Sequence, residues 1–225
     1  MKAVLIYSQR FGYLPLLEWQ LKQADIEAIH IVDEEFSWRR RILHTYEVAR
    51  EYPKELLVFP DAWDTVMFGT KSEIEALELS GHITLAGVKN CWPDDRKTEY
   101  AAKQNGIKSP WRYVNSNPLA GLGRDIADAI TWGWARFPIR TDSKDIHEPN
   151  GDVCERFWTS LYLAKSPFEV QVDCNCRLSQ SFLSSVPGEL KKENGRLRNV
   201  VTGSTPVFLH LNGNYLLPDG LVKLQ

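Results

Sequence analysis

The sequence predicts an α/β fold in which a mostly parallel central sheet is flanked by helices. Short continuous apolar runs, typical of strands buried on both faces, alternate with segments whose apolar residues recur at helical spacing. Residues 3–7 and 28–32 flank a helical segment at 15–23, and this order is a βαβ unit with parallel strands and a right-handed connection. The central run, residues 56–59, is followed at once by polar residues, and open α/β sheets bind ligands at the carboxyl ends of their strands.

Apolar spacing and prolines set the limits of the predicted helices. The helix at residues 15–23 carries Pro15 in its first turn, where proline is tolerated, and a helix at residues 38–52 ends before Pro53. In the second helix the apolar residues recur at helical spacing and are expected to face the core. The same criteria predict further helices at residues 71–79, 122–137 and 153–164, and one that ends at residue 103.

Further apolar runs predict the remaining strands. These strands are expected at residues 82–88, 111–115, 168–172 and 207–211. Turn-rich segments predict loops at residues 115–121, 138–152 and 184–203. The last loop contains Lys191, Lys192, Arg196 and Arg198 among glycine and asparagine, so it is predicted to be mobile and solvated. It is also the best candidate for a lid or for an arm that binds an acceptor.

Length and composition describe one ordinary globular domain. The chain has 225 residues, 43% hydrophobic and 25% charged, which allows one full core. The formal net charge of −2 excludes a global basic field that would draw the chain to nucleic acid or to an anionic membrane. The apolar start is too short for a signal peptide and no later segment approaches a membrane span, so a cytoplasmic protein without membrane contact is expected. Four cysteines in a chain of this length predict reduced, packed thiols.

Two carboxylates follow the central strand directly. Asp61 and Asp64 bracket Trp63 at the expected ligand-binding edge of the sheet. Close carboxylates repel each other unless a cation lies between them, and oxygen ligands of this type suit Mg²⁺ or Mn²⁺. An aspartate after a strand also serves as a turn former or a helix cap, so the pattern alone leaves both roles open. His210 lies just ahead of an Asn-Gly turn signal, at the end of the last predicted strand.

Several short pieces occur in one order along the chain. They are Asp61-Ala62-Trp63-Asp64, Cys91-Trp92-Pro93-Asp94, Tyr113-Val114-Asn115-Ser116, Val172-Asp173 and His210-Leu211-Asn212-Gly213. Their joint order and spacing resemble the glycosyltransferase region of the procollagen lysyl hydroxylases and the related collagen galactosyl- and glucosyltransferases. The resemblance implies a single domain of GT-A (Rossmann-like) fold. In that domain residues 1–90 form the nucleotide-binding part, and residues 91–225 form the acceptor side and close the metal site.

The resemblance also implies which residues hold the sugar donor. By their positions in the motifs, Asp61, Asp64 and His210 bind Mn²⁺ or Mg²⁺, and the metal holds the diphosphate of a UDP-sugar. Trp63 stands where relatives have a tyrosine that stacks on uracil. A family lysine near the nucleotide corresponds to Arg41, which is therefore assigned to a phosphate. The implied nucleotide-binding residues are Trp63, Arg41, Asn115, Asn212 and Gly213.

The implied catalytic carboxylate is displaced in this chain. The acidic pair of the family falls on residues 153–154, which are not acidic, so one of the neighbouring carboxylates, Asp152 or Glu155, is expected to take over its role. A family aspartate near the acceptor matches Asp173. Asp94 either positions the sugar or the acceptor, or caps the helix that follows it.

These inferences predict a Mn²⁺-dependent glycosyltransferase that moves a hexose from UDP-glucose or UDP-galactose to a hydroxyl group of a macromolecule. The acceptor is a hydroxylysine-type site in a protein, or a hydroxymethylated pyrimidine in DNA whose phosphates would meet basic side chains. Those side chains are Arg39, Arg40, Lys191, Lys192, Arg196 and Arg198. The alternative is a non-catalytic nucleotide-sugar or carbohydrate-binding module of the same fold, which the displaced acidic pair favours.

Overall fold

The computed structural model describes residues 1–77, 79, 81–137, 152–185, 188–193 and 196–212, without the side chains of residues 152 and 153. The helices are α1 Leu14–Gln23, α2 Trp38–Glu51, α3 Lys71–Glu75, α4 Lys97–Lys103, α5 Gly123–Trp134 and α6 Asp152–Leu163. Strands β1 to β6 are Lys2–Tyr7, Glu27–Val32, Leu56–Phe59, Thr65–Met67, His82–Val88 and Tyr113–Leu122. Strands β7 to β11 are Glu169–Asp173, Ser179–Ser181, Leu190–Glu193, Arg196–Asn199 and Phe208–His210.

Nine of the described strands form one sheet in the order β2-β1-β3-β6-β5-β8-β11-β4, with β7 beside β5. Most neighbours are parallel, whereas β6 runs antiparallel to β3 and β5, and β4 runs antiparallel to β11. Because β3, β5, β8 and β11 therefore share one direction, their carboxyl ends meet at one edge of the sheet. The antiparallel strands β4 and β6 begin at that same edge, which is where the polar residues of the candidate site converge.

Apolar side chains cover both faces of the sheet. Along β1, Val4 and Ile6 point into a core shared with α2, α5 and α6, whereas Ala3 and Leu5 point into a core shared with α1. This arrangement explains why the first strand is a continuous apolar run rather than an alternating one. In the part of the chain that the structure describes, none of the helices combines the length and apolar character needed to cross a bilayer.

Local signals account for the helix that leads into the site. The hydroxyl of Ser37 accepts a hydrogen bond from the backbone N–H of Arg40 at 3.2 Å, so α2 begins with a side-chain cap. Its inward face buries Arg41, Ile42 and Ala49. The capped start fixes the register of α2 and thereby directs Arg41 beneath the carboxyl edge of β3.

Outside residues 184–203, the predicted order of helices and strands is confirmed from β1 to β11, with three differences. Residues 115–121 were expected to form a loop, but they belong to β6, and the register between β5 and β6 shifts at Leu85 and Ala86. Their polar side chains lie where the bulge interrupts the ladder, which is why they resemble a loop in sequence. The helix expected at residues 71–79 is described only over Lys71–Glu75, and the short strands β4 and β8 were not predicted.

The loop prediction for residues 184–203 is wrong at residues 190–193 and 196–199, which form strands, whereas the charged side chains there are mostly exposed as expected. Strands β9 and β10 pair there as an antiparallel hairpin. Leu197 is buried in a cluster with Val66 and Leu209, and Asn199 donates to the Gln180 side-chain carbonyl at 2.8 Å. Because buried and exposed residues alternate along β10, the hairpin is anchored on one side while its charges face water. The loop predicted at residues 138–152 lies outside the described residues, except that Asp152 begins α6.

Candidate metal centre and its surroundings

Three side chains from three different segments converge at the carboxyl edge of the sheet. Asp61 follows β3, Asp64 immediately precedes β4, and His210 ends β11. One ligand atom from each of these residues lies within 4.8 Å of the others. The Nε2 atom of His210 is 3.2 Å from Oδ1 of Asp64. Pairing of β11 with β4 places His210 opposite Thr65, so the sheet itself brings the histidine beside the aspartates.

This donor set fits a hard divalent cation. Ligand atoms that share one metal at about 2.1 Å lie no more than about 4.2 Å apart. The three ligand atoms lie within 4.8 Å of one another, so side-chain shifts of less than about 1 Å would bring them to this spacing. Two carboxylates and one imidazole, without a thiolate, are a ligand set for a hard or borderline divalent cation rather than a soft metal.

Burial and close charges perturb the titratable groups of the cluster. Burial raises the pKa of Asp61, and the nearby Asp64 carboxylate raises it further, against the opposing effects of Arg41 and His210. Burial lowers the pKa of His210, but the carboxylates of Asp64, Asp61 and Glu155 outweigh this and raise it above its usual value. A cation placed between the carboxylates would relieve their repulsion.

Two asparagines hold the imidazole of His210. The side-chain nitrogens of Asn115 and Asn212 lie 3.3 Å and 3.4 Å from Nδ1 of His210. The Asn212 carbonyl oxygen accepts from the Ser181 hydroxyl at 2.6 Å and from the Leu183 backbone N–H at 3.0 Å. These contacts orient the ring with Nε2 toward Asp64. The structure therefore places both predicted nucleotide-binding asparagines against the candidate metal ligand.

Arg41 is buried beneath the same edge. Its guanidinium donates to the Pro60 carbonyl at 3.1 Å and to the Asn117 side-chain oxygen, and it lies 5.8 Å from the Trp38 ring centre. Its positive charge lowers the pKa of Asp61, against the larger opposite effects of burial and Asp64. In the described structure these protein groups engage Arg41, so it serves as a buried countercharge beside the predicted phosphate position.

An aromatic cluster stands beside the candidate metal ligands. The Trp63 ring is stacked with Phe11, with ring centres 4.7 Å apart and an angle of 27° between the planes. Phe36 contacts the same ring at 5.3 Å and 58°. The indole N–H of Trp63 donates to the Gln9 carbonyl at 3.1 Å, and its backbone N–H donates to Asp61 Oδ1 at 3.2 Å. Trp63 therefore connects the candidate metal centre to the loop after β1.

A further carboxylate faces the centre from α6. Glu155 accepts hydrogen bonds from the Ser116 backbone N–H at 3.0 and 3.1 Å and from the Ser116 hydroxyl at 2.9 Å. Burial raises the pKa of Glu155 to about 7, although the bonds from Ser116 and the charges of His210 and Arg41 oppose the increase. Of the two carboxylates predicted next to residues 153–154, Glu155 is the one whose side chain the structure describes, and its charge helps to raise the pKa of His210.

The other predicted catalytic residues lie in different surroundings. Asp173 is the half-buried last residue of β7, and its carboxylate accepts hydrogen bonds from the backbone N–H groups of Arg177, Leu178 and Ser179 at 2.7 to 3.0 Å. This arrangement stabilises the turn between β7 and β8. Asp94 forms an ion pair with Arg156 at 3.1 Å, which ties the segment before α4 to α6. The side chain of Asp152 and all of Gly213 lie outside the described residues.

Sequence reasoning did not assign roles to several residues that the structure places in or beside the site. Ser116 anchors Glu155, Asn117 accepts from Arg41, and Phe11 covers Trp63. The run of three polar residues at positions 115–117, inside an otherwise apolar segment, was the available signal for the first two. No comparable pattern marks Phe11, because its contact depends on how the loop after β1 folds.

Comparisons with known proteins agree with this geometry. A sequence model of a family described as "PLOD GT domain" matches residues 36–217. Among solved structures, the fold is similar to that of a glycosyltransferase involved in the glycosylation of the major capsid of PBCV-1. That similarity has a TM-score of 0.55 and covers 95% of this chain and 94% of the other, at 12% sequence identity. The chain has no match among curated proteins. The predicted GT-A fold is confirmed.

Proposed function

Because the chain belongs to the family of PLOD glycosyltransferase domains and is a glycosyltransferase, we propose that it transfers a hexose from a UDP-sugar in a metal-dependent reaction. The donor is UDP-glucose or UDP-galactose, and the acceptor is a hydroxyl group of a macromolecule. The observation that carries this proposal is the convergence of Asp61, Asp64 and His210 within 4.8 Å at the carboxyl edge of the sheet.

In this proposal the three ligands hold Mn²⁺, or Mg²⁺ in its place, against the diphosphate of the donor. A divalent cation, when bound, supplies the positive charge that neutralises the departing UDP. Asn115 and Asn212 keep His210 in position for that role. Arg41 holds a positive charge beneath the same edge, and Trp63 provides an aromatic face for the base.

Glu155 is proposed as the carboxylate that acts on the acceptor. During transfer the acceptor oxygen bonds to the anomeric carbon, the bond from that carbon to the phosphate oxygen breaks, and the hydroxyl proton must leave. A carboxylate with a pKa of about 7 can take that proton near neutral pH. Ser116 fixes the Glu155 carboxylate through three hydrogen bonds. The role of the acidic pair at residues 153–154 in relatives would thus pass to the next position along α6.

A hydroxylysine-type protein site is the acceptor that the family membership favours. The DNA hypothesis relied on six basic residues, and the structure pairs three of them with carboxylates. Arg40 contacts Asp33, Arg196 contacts Glu73 and Arg198 contacts Glu193. Charges neutralised in this way contribute less to phosphate binding. We therefore place a hydroxylated peptide ahead of hydroxymethylated DNA as the acceptor.

The decisive experiment measures hydrolysis and transfer of UDP-glucose and UDP-galactose with Mn²⁺ by mass spectrometry. Asp61→Asn and Asp64→Asn preserve side-chain size but remove a ligand charge, so each is expected to lower turnover about 100-fold or more. Asp128→Asn, on the exposed side of α5, is the matched control and should retain full turnover. Full activity in both ligand variants would disprove the metal assignment.

Acceptors are compared in the same assay with a hydroxylysine-containing peptide and with hydroxymethylated DNA. Transfer to the peptide alone supports the proposed acceptor class, and transfer to DNA alone reverses the order. Binding of UDP-sugars without hydrolysis, and without transfer to any acceptor, would instead favour the non-catalytic module.

A further inference from the structure

The side chain of Phe11 covers the aromatic surface that Trp63 offers to a nucleotide. The two rings are stacked with their centres 4.7 Å apart and an angle of 27° between the planes. A planar base inserted between two parallel rings needs their planes roughly 7 Å apart, which is twice the contact distance between stacked carbon atoms. Phe11 and Trp63 therefore leave no slot between them, and a base can stack on this face only after Phe11 has moved.

The backbone on both sides of Phe11 is fixed to Trp63. The indole N–H of Trp63 donates to the Gln9 carbonyl at 3.1 Å, and the Tyr13 N–H donates to the Trp63 carbonyl at 2.8 Å. Gly12 has a φ of +64°, and a Cβ atom there would lie 2.3 Å from the Trp63 carbonyl oxygen. Only glycine allows this close approach. The loop after β1 therefore cannot withdraw without breaking several contacts.

The side chain of Phe11 is, in contrast, not fixed by burial. It is 46% exposed, although aromatic side chains usually bury most of their surface. Exposed side chains change rotamer within picoseconds to nanoseconds. Rotation about the side-chain bonds alone would uncover Trp63, and the backbone contacts of Gln9 and Tyr13 would remain.

We infer that Phe11 occupies the base position on Trp63 in the absence of ligand and is displaced by the base of the incoming nucleotide. This inference rests on the proposed function, in which Trp63 stacks on the base of a UDP-sugar. The stacked Phe11–Trp63 pair is exchanged for a stacked base–Trp63 pair, so Phe11 lowers the apparent affinity for the nucleotide. It also disfavours any ligand that lacks a planar ring able to replace it.

The test is a calorimetric titration of UDP in the presence of Mn²⁺ with the whole chain. Removing the competing ring in Phe11→Ala should tighten UDP binding about two- to tenfold, the value of one aromatic pair. Phe11→Tyr keeps the stacked ring and should bind as the unmodified chain does. Trp19→Ala removes another exposed aromatic, 56% exposed on α1, and should leave the affinity unchanged.

The outcomes separate this inference from the proposed function. Equal or weaker UDP binding by Phe11→Ala would overturn the displacement of Phe11 and leave the proposed function standing. If neither the unmodified chain nor Phe11→Ala bound UDP with Mn²⁺, the base position on Trp63 and the proposed function would both be wrong. A tightening shared by Trp19→Ala would also count against the inference, because it would show a general effect of aromatic removal.

Discussion

Asp33 and Asp61 are both buried aspartates that follow a parallel strand of the same sheet, yet their surroundings are opposite. Asp33, after β2, accepts from the Arg40 guanidinium at 2.6 and 2.9 Å, from His44 at 2.8 Å and from the Glu35 backbone N–H at 3.1 Å. Chiefly because of the bonds from Arg40, its pKa is lowered to about 2. The pKa of Asp61, after β3, is instead raised by burial and by the neighbouring Asp64.

The difference shows how a structural carboxylate is distinguished from a functional one. The charge of Asp33 is satisfied by protein groups, so the carboxylate stabilises the loop between β2 and α2. At Asp61 burial and the nearby Asp64 carboxylate outweigh the opposing charges of Arg41 and His210. A buried charge without a sufficient partner is costly. Such a site gains most from an external cation, and perturbed carboxylates of this kind are typical of functional sites.

The largest expected effect that tests this contrast is stabilisation by metal. A ligand present at 100 times its Kd stabilises the folded state by about 2.7 kcal/mol, so Mn²⁺ should raise the Tm of the unmodified chain clearly. Asp61→Asn should remove most of the shift because a ligand charge is lost. Thermal unfolding with and without Mn²⁺ measures both. An equal shift in Asp61→Asn would mean that Mn²⁺ binds elsewhere.

The reverse behaviour is expected for Asp33. Its lowered pKa, about 2 against 3.8, corresponds to about 2 kcal/mol of stability. That contribution is present above pH 3.8 and is lost as the pH falls toward 2. In urea denaturation at pH 7, Asp33→Asn should lower the free energy of unfolding by about this amount.

The matching measurement is urea denaturation of Asp61→Asn in metal-free buffer. This substitution removes a negative charge that lies close to the Asp64 carboxylate. It should leave the stability at pH 7 unchanged or raise it. If both substitutions destabilised the chain equally, the proposed difference between the two carboxylates would not hold.

A smaller effect, on the pH dependence of turnover, is expected at Glu155, the carboxylate proposed as the base. With a pKa of about 7, the ionised form required of a base decreases about tenfold for each pH unit below 7. The kcat/KM of the unmodified chain should fall accordingly between pH 7 and pH 5. Glu155→Gln should show low activity without this limb. A pH profile of Glu155→Gln identical to that of the unmodified chain would exclude Glu155 as the base.

The raised pKa of Glu155 also predicts how stability depends on pH. A group whose pKa is higher in the folded than in the unfolded state favours folding at low pH, and the benefit is lost as the pH rises. Metal-free protein should therefore lose stability between pH 4.5 and about pH 7 relative to Glu155→Gln. Urea denaturation across this range gives the difference directly, and a constant difference would contradict it.

The smallest effect is expected at the exposed ion pair between Asp94 and Arg156. Exposed pairs are typically worth less than about 1 kcal/mol, and both side chains here are more than two-fifths exposed, at 49% and 44%. Asp94→Ala should therefore change the free energy of unfolding by less than about 1 kcal/mol. Turnover provides the second readout. A fall of tenfold or more with unchanged stability would show that Asp94 acts on the sugar or the acceptor.

Most of the fold could be predicted from the sequence, because local patterns specify it. Continuous apolar runs identified β1, β2, β3 and β5, and apolar spacing identified the longer helices. Segments whose pairing is non-local were predicted poorly. The strands β4 and β8 are short and lack a pattern of their own, since each exists through pairing with β11. The polar start of β6 looked like a loop because its bulge is visible only against β5.

By itself the sequence determined the α/β class and the positions of Asp61 and Asp64 after the central strand. Strands buried on both faces leave continuous apolar runs, and helices leave apolar residues at helical spacing. Tertiary structure decided what those carboxylates meet. His210 is far along the chain and reaches Asp64 through pairing of β11 with β4. The hydrogen bonds from Ser116 to Glu155 and the stacking of Phe11 on Trp63 likewise join segments that are far apart in the chain. Contacts between distant segments depend on register and crossing of whole elements, which no local pattern encodes.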